Sequence, residues 1–304
     1  MEKFTFTDHL GIEIHAYKWL PDSNSGEPKA VVQIAHGMAE HALRFTHVAE
    51  ALAKRGYIVF GNDHQGHGQT AIKKLGLLGS EGWKGCVKDL KQLNDIIKEE
   101  YPSLPIFYLG HSWGSLMGQD YIQQWGTDFK GAIFSGTYGR KAKLKLLLSV
   151  GKAIMKVQGL KSTASLIHKI AVGPFSKPFK PVKTPHDWRS SDEKVIQDFV
   201  DDPIAGFKVT NGWFLEFGLN IKKIWLPENE AKIPKNLKVL LLNGEFDTTC
   251  TMPDDFLLLK DRYEDLGIKN IQYKIYKDSR HSIFDDVKRN EAIQDVIKWL
   301  DLQL

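Results

Sequence analysis

The pentapeptide Gly110-His111-Ser112-Trp113-Gly114 sets a hydroxyl between two glycines. The apolar run at 106–109, bounded by Pro105, reads as a buried strand, and the segment from Trp113 onward reads as a helix. Ser112 then sits on a sharp strand-to-helix turn. Such a turn strains its central residue and leaves no room for side chains two positions to either side, which is the steric reason for Gly-x-Ser-x-Gly. It lifts the hydroxyl clear of the sheet and places the Trp113 backbone N–H at a helix start, where developing negative charge is favoured. A nucleophile and half of an oxyanion hole come from one motif. The pattern also occurs in ordinary turns; its position after a strand and before a helix selects the catalytic reading.

A serine hydroxyl is a poor nucleophile until a positioned base takes its proton, and the base needs a carboxylate to fix its tautomer. In a protein built on such an elbow the acid and then the histidine follow the nucleophile, each on a loop after a strand. Of eleven histidines, only His281 follows the last strand pattern and precedes the last helical one. The acid belongs after the strand at 238–243, where Asn243-Gly244-Glu245-Phe246-Asp247 offers two carboxylates. Asp247 lies deeper in the loop and is the first choice; Glu245 is the second. The other oxyanion donor belongs to the loop after the strand at 30–35, where Met38, following His36-Gly37, supplies its backbone N–H. His36, Glu40 and His41 match neither His-Glu-x-x-His nor His-x-x-Glu-His, and His64 and His67 have no third ligand at a recognisable spacing. No metal and no cofactor are expected. His36 and His41 are expected to bond loop backbone, and Asp63 to tie its own loop.

The elements that must carry these residues alternate. Segments at 4–6 and 12–19 read as an opening hairpin. Strands at 30–35, 57–60, 106–109 and 132–134 are then separated by helical patterns, of which 84–100 is the longest. This predicts an α/β fold, a mostly parallel central sheet with helices on both faces, whose ligands bind beyond the carboxyl ends of the strands. The alternation stops at about Tyr138 and resumes at about Lys238. Residues 1–137 and 235–304 are therefore expected to form one core, and 138–234 an inserted helical cap.

The 304 residues suffice for a full core, and the net charge of +4 is too small, without a concentrated patch, to argue for nucleic acid. The first eight residues alternate and carry charge, unlike a signal peptide, and no apolar run reaches membrane-spanning length, so a cytoplasmic protein is expected. Cys86 and Cys250 form no metal or Cys-x-x-Cys pattern and are expected to be reduced and structural.

At these residues the chain resembles the monoacylglycerol lipase and lysophospholipase branch of the α/β-hydrolases. The stretches that carry the resemblance are His36-Gly-Met-Ala-Glu-His41, Asp63-His-Gln-Gly-His-Gly68, Gly110-His-Ser-Trp-Gly-Ser115, Asn243-Gly-Glu-Phe-Asp247 and Arg280-His281. They run in the family's order over nearly the whole chain. The resemblance implies Ser112 as nucleophile, Asp247 as acid, His281 as base, and Met38 and Trp113 as oxyanion donors. Three positions depart from the pattern: Gln65 stands where the family often has Arg, Trp113 where it has Met, and Ser282 where it has Glu.

The expected activity is that of a serine hydrolase of carboxylic esters, with monoacylglycerol or lysophospholipid as substrate and a short-chain or aromatic ester as the alternative; a peptidase or amidase, or a non-catalytic binding protein on the same fold, ranks behind both. In the cap, Lys141, Lys145, Ser149, Lys152 and Lys156 recur at helical spacing, roughly opposite Leu147, Val150, Ile154 and Val157. The pattern fits a helix that covers the site, and also one that lies peripherally on an anionic membrane. Phe175, Phe179, Trp188, Phe199, Phe207, Trp213, Phe214, Phe217 and Trp225 exceed what a small cap needs for its own packing, and some are expected to line an acyl pocket.

Overall fold

The computed structural model describes residues 1–22, 26–71, 74–139 and 144–304, with the side chains of 144–147 outside the description. Its strands are β1 (Glu2–Thr7), β2 (Glu13–Trp19), β3 (Ala30–Ala35), β4 (Tyr57–Asn62), β5 (Ile106–His111), β6 (Gly131–Ser135), β7 (Lys238–Gly244) and β8 (Asn270–Tyr276). They form one sheet in the order β1-β2-β4-β3-β5-β6-β7-β8. β2 pairs antiparallel with β1 and β4, and every other pairing is parallel. The helices are α1 (Thr46–Ala53), α2 (Gly82–Glu100), α3 (Trp113–Trp125), α4 (Leu144–Gln158), α5 (Ser165–Ala171), α6 (Glu193–Val200), α7 (Asn211–Ile224), α8 (Pro227–Glu230), α9 (Asp254–Asp265) and α10 (Arg289–Gln303). Five of them, α4 to α8, lie between β6 and β7, where the alternation of the sequence lapses.

Neighbouring strand residues serve opposite layers. Val31, Ile58, Tyr108, Ala132 and Val239 pack with α2, α3 and α9, while Val32, Val59, Phe107, Ile133 and Leu240 pack with α1 and α10. Because side chains alternate along a strand, only a run apolar at every position can feed both layers, and β3 to β6 are buried throughout. After the loop that carries Met38, a short 3-10 turn at Ala42–Phe45 leads into α1. Cys86 and Cys250 are both free thiols.

Register brings the functional loops to one edge. Ala35 of β3 lies beside Gly110 of β5, His111 beside Ser135 of β6, and Ser135 beside Leu242 of β7. The loops after β3, β5, β6 and β7 thus leave the sheet as neighbours.

Candidate active site

Ser112 lies between β5 and α3 with φ 52° and ψ −116°, a left-handed backbone that a serine adopts only under constraint. The constraint is visible at the flanking glycines. A Cβ on Gly114 would lie 2.1 Å from the carbonyl oxygen of Ala35, and one on Gly110 would lie 2.6 Å from that of Gly114. The turn is closed by Ser112 N–H donating to Ser135 O at 2.8 Å. Trp113 is the first residue of α3, so its N–H has no acceptor within the helix.

His281 sits in the loop between β8 and α10, fully buried. Its Nδ1 is 2.8 Å from Asp247 Oδ2, on the loop after β7. Two loops approach this closely because residue 244 is glycine: a Cβ there would lie 2.0 Å from Arg280 O. Asp247 Oδ1 accepts from the N–H of Thr249 at 2.8 Å and from its hydroxyl at 2.7 Å, leaving Oδ2 for the histidine. Burial pushes the Asp247 carboxyl up, but His281 and the Thr249 bonds outweigh it and hold the group below the ordinary aspartate value. With Nδ1–H donated to Asp247, the lone pair of the imidazole is on Nε2, which is buried and has no hydrogen-bond partner among the described residues. Glu245 is exposed and accepts instead from Asp278 N at 3.0 Å, so the carboxylate that meets His281 is Asp247.

The imidazoles of His281 and His111, the residue before Ser112, lie with centroids 4.9 Å apart. A Cβ on Gly136 would touch both rings, at 2.8 and 3.0 Å. Burial lowers the pKa of His111 to about 3, so it stands beside His281 as a neutral ring. On the other side, a Cβ on Gly37 would come 3.1 Å from the Ser112 Cβ, which puts the loop carrying Met38 against the serine. Met38, Ser112, Trp113 and Thr249 line one cavity, whose other walls come from α3, α4, α5 and α7 and from Tyr138, Val172, Phe175 and Trp188.

The remaining sequence candidates are accounted for by their partners. His36 Nε2 accepts from His64 N at 3.0 Å, so its Nδ1–H donates to Gly37 O at 2.8 Å, as expected of a loop-holding histidine. His41 departs from expectation. Its Nε2 meets Asp202 Oδ2 at 2.8 Å, because the segment around 202–206 packs over this loop and Gly206 N donates to Ala39 O. Asp63 accepts from Ala42 N, Gln69 N and the Tyr17 hydroxyl. Gln65, in the place of an arginine, donates to Asp89 at 2.8 Å and to Asp8 at 3.3 Å. The Trp113 indole packs on His64, His67, Trp83 and Trp213, so most of its bulk is taken up by the loop after β4 and by neighbouring tryptophans. Of the cap aromatics, Phe175, Trp188, Trp213, Phe214 and Phe217 line the cavity. Phe179 lies under Arg280, Phe199 under Arg189, Phe207 beside His67 and Trp225 beside Tyr138.

Several contributors carry no sequence signal. Besides Thr249, the segment 187–191 binds the His281 loop at many points. Arg280 Nη1 donates to Asp187 O and Ser190 O, Ser282 N donates to Arg189 O, and Asp286 accepts from Ser191 N and Arg280 N. All but the last, which lies within the His281 loop, join residues about 90 positions apart, which no local spacing reveals.

The family model for serine aminopeptidase, S33, matches residues 26–288. The chain belongs to the serine aminopeptidase S33 family. This S33 chain is an α/β-hydrolase similar to monoacylglycerol lipases. It is 26% identical over 290 residues to the monoacylglycerol lipase of Mycolicibacterium smegmatis, covering 95% of this chain and 93% of that one. It is 26% identical over 286 residues to the human monoglyceride lipase, covering 93% and 84%. A solved thermostable carboxyl esterase from Bacillus coagulans, in complex with glycerol, superposes on this S33 chain with a TM-score of 0.90 at 27% identity, covering 99% and 97%.

Proposed function

We propose that the protein is a carboxylic ester hydrolase in which Ser112 is the nucleophile, His281 the base and Asp247 the acid, and that its substrates are single-chain lipid esters, monoacylglycerol or lysophospholipid. The observation that carries this reading is a serine at φ 52° opening into a cavity with no charged side chain among its described lining residues. An apolar wall suits an acyl chain, and the cavity offers no carboxylate to hold the ammonium group of a peptide. The similarity to monoacylglycerol lipases across more than nine-tenths of the chain supports the same class.

In this mechanism the lone pair on His281 Nε2 takes the Ser112 proton as the oxygen attacks the ester carbonyl. The N–H groups of Met38 and Trp113 receive the oxyanion, with the start of α3 favouring the charge. His281 gives its proton to the leaving alcohol, then activates water to release the acid and free Ser112. Asp247, held by Thr249, keeps the proton on Nδ1. Residues 138–234 act as the cap over a core formed by 1–137 and 235–304. Of its basic stripe, Lys141 and the side chains of Lys145 and Leu147 lie outside the described residues. Lys152, Lys156 and Lys169 are exposed beside exposed Val157, Leu166 and Ile170, an arrangement that supports peripheral contact with the lipid surface supplying the substrate.

The test is hydrolysis of p-nitrophenyl esters from acetate to palmitate, and of monoolein, by wild type and Ser112→Ala, with mass-spectrometric detection of a fluorophosphonate adduct. Turnover and adduct in the wild type alone are expected. Equal activity in both proteins overturns Ser112, and inactivity of a folded wild type on all esters overturns the substrate class. A rate optimum at acetate or butyrate favours a small-ester esterase.

A further inference from the structure

Two glycines stand in the cavity wall, Gly218 on α7 and Gly151 on α4. Gly218 has a packing reason. A Cβ there would lie 2.3 Å from Leu148 Cδ2, so the missing side chain lets α4 close on α7. Gly151 has no such reason. Among the described residues a Cβ would meet only Met155 Cε at 3.6 Å and Ile167 Cδ1 at 3.9 Å, ordinary contact distances, and its φ is not in the left-handed region. A glycine inside a helix costs stability relative to alanine, because more chain entropy is lost on folding and no side chain packs. With neither a close neighbour among the described residues nor a special φ, what remains is the space it leaves toward the cavity.

That space lies on a path to solvent. Val150 and Ile170 line the cavity and are 39% and 43% exposed, whereas Met155 and Ile167 behind them are buried. The cavity therefore reaches the surface between α4 and α5, and Gly151, itself buried, lies just inside that opening beside Val150. Ser112, Met38 and Thr249 line the same cavity from the sheet side. A linear apolar chain with its carbonyl at Ser112 fits this path, passing against bare α4 backbone as it nears the surface.

We propose that Gly151 sets the acyl-chain length the enzyme accepts: its missing side chain keeps the channel between α4 and α5 wide enough for a long linear chain. This rests on the ester-hydrolase reading for the identity of the reacting group, but not for the shape of the channel.

The experiment compares wild type with Gly151→Ala, Gly151→Leu and Gly151→Phe, each checked for cooperative thermal unfolding. The first readout is the ratio of kcat/KM on p-nitrophenyl laurate or palmitate to that on the butyrate. The second is binding of cis-parinaric acid, an 18-carbon fluorescent fatty acid, to the same variants in a Ser112→Ala background. Displacing about two methylenes from the channel lowers the ratio by roughly tenfold or more. The ratio is expected to fall stepwise with side-chain size, the chain-length optimum to shorten, and parinaric acid affinity to fall in the same order. An unchanged ratio, or an equal loss at every chain length, in folded Leu and Phe variants overturns the proposal, as does unchanged parinaric acid binding. If no variant hydrolyses esters but parinaric acid affinity still falls with size at 151, the channel stands and the hydrolase reading fails.

Discussion

The guanidinium of Arg189, on the insertion between β6 and β7, pairs with the carboxylate of Glu40, on the loop after β3, and both side chains are buried. The other Glu40 oxygen accepts from Gly37 N at 2.5 Å, one residue before Met38. On its own backbone Arg189 accepts from Ser282 N at 2.8 Å, one residue after His281. One residue of the insertion therefore holds both the loop that carries the candidate oxyanion donor and the loop that carries the candidate base. Burial pushes the Glu40 carboxyl up, but the attraction of Arg189, with His111 and the Gly37 N–H, overrides it and holds the group down at about 2.

Removing one partner leaves a buried charge alone. Arg189→Met is expected to cost on the order of 3–5 kcal/mol in urea unfolding, and the Glu40→Gln/Arg189→Met double variant less than Arg189→Met alone. If the double variant is as unstable as the sum of the singles, the two groups do not act as a pair. The contribution of Glu40 is present above the unfolded value of about 4.5 and is lost as pH falls through about 2, so the acid-unfolding curve of Arg189→Met should shift to higher pH.

Asp247→Asn preserves shape but loses the charge that fixes the His281 tautomer, and a fall in kcat of roughly 10³–10⁴ is expected. Thr249→Val removes the 2.7 Å hydroxyl bond to the same carboxylate while leaving the backbone bond at 2.8 Å, so a smaller loss, of about tenfold, is expected. Parallel kcat measurements on p-nitrophenyl butyrate check both. A Thr249→Val enzyme indistinguishable from wild type removes Thr249 from the positioning network.

Gly244→Ala tests how the candidate acid and base are brought together. The added methyl would lie 2.0 Å from Arg280 O, so the loops after β7 and β8 must separate. A loss of kcat of more than about 100-fold is expected, because an ångström-scale misplacement of a catalytic pair is worth that much. Gly267→Ala, at a glycine with φ 85° and no neighbour within 4 Å, strains its own turn without touching these loops and so controls for a general loss of stability. Wild-type kcat in Gly244→Ala would show that the close approach is not required.

Asp89 is buried on α2, where the neutral amide of Gln65 donates to it and Asp8 accepts from the same amide, and burial raises its carboxyl to about 7. A raised folded pKa means that the native state holds this proton more tightly than the unfolded chain does. The stability it contributes is complete below about 3.8 and is lost as pH rises through about 7. Asp89→Asn should therefore be more stable than wild type at pH 8, by a few kcal/mol to order of magnitude, with the gap narrowing toward pH 5. A constant gap across that range, measured by thermal unfolding, would contradict the shift.

The order of the candidate residues was legible in the chain because most of its constraints are local. Gly110 is dictated by a backbone clash within one turn and Gly114 by one with the end of β3, and the strands at 30–35, 106–109 and 238–243 show as apolar runs because a sheet covered on both faces buries nearly every position. Those patterns specified the α/β core, the lapse between β6 and β7, and Ser112, Asp247, His281, Met38 and Trp113 as candidates. Local pattern also chose among histidines by chain order, before any of them had a partner. What it left unspecified depends on contacts between residues far apart in sequence. Arg189 with Glu40, Thr249 beneath Asp247 and His41 with Asp202 follow from how the insertion lies on the loops, as does the division of its aromatics between cavity and packing. A side chain's hydrogen-bond partner is set by which atoms the finished fold brings within about 3 Å, and spacing along the chain fixes that distance only within a single turn, strand or helix.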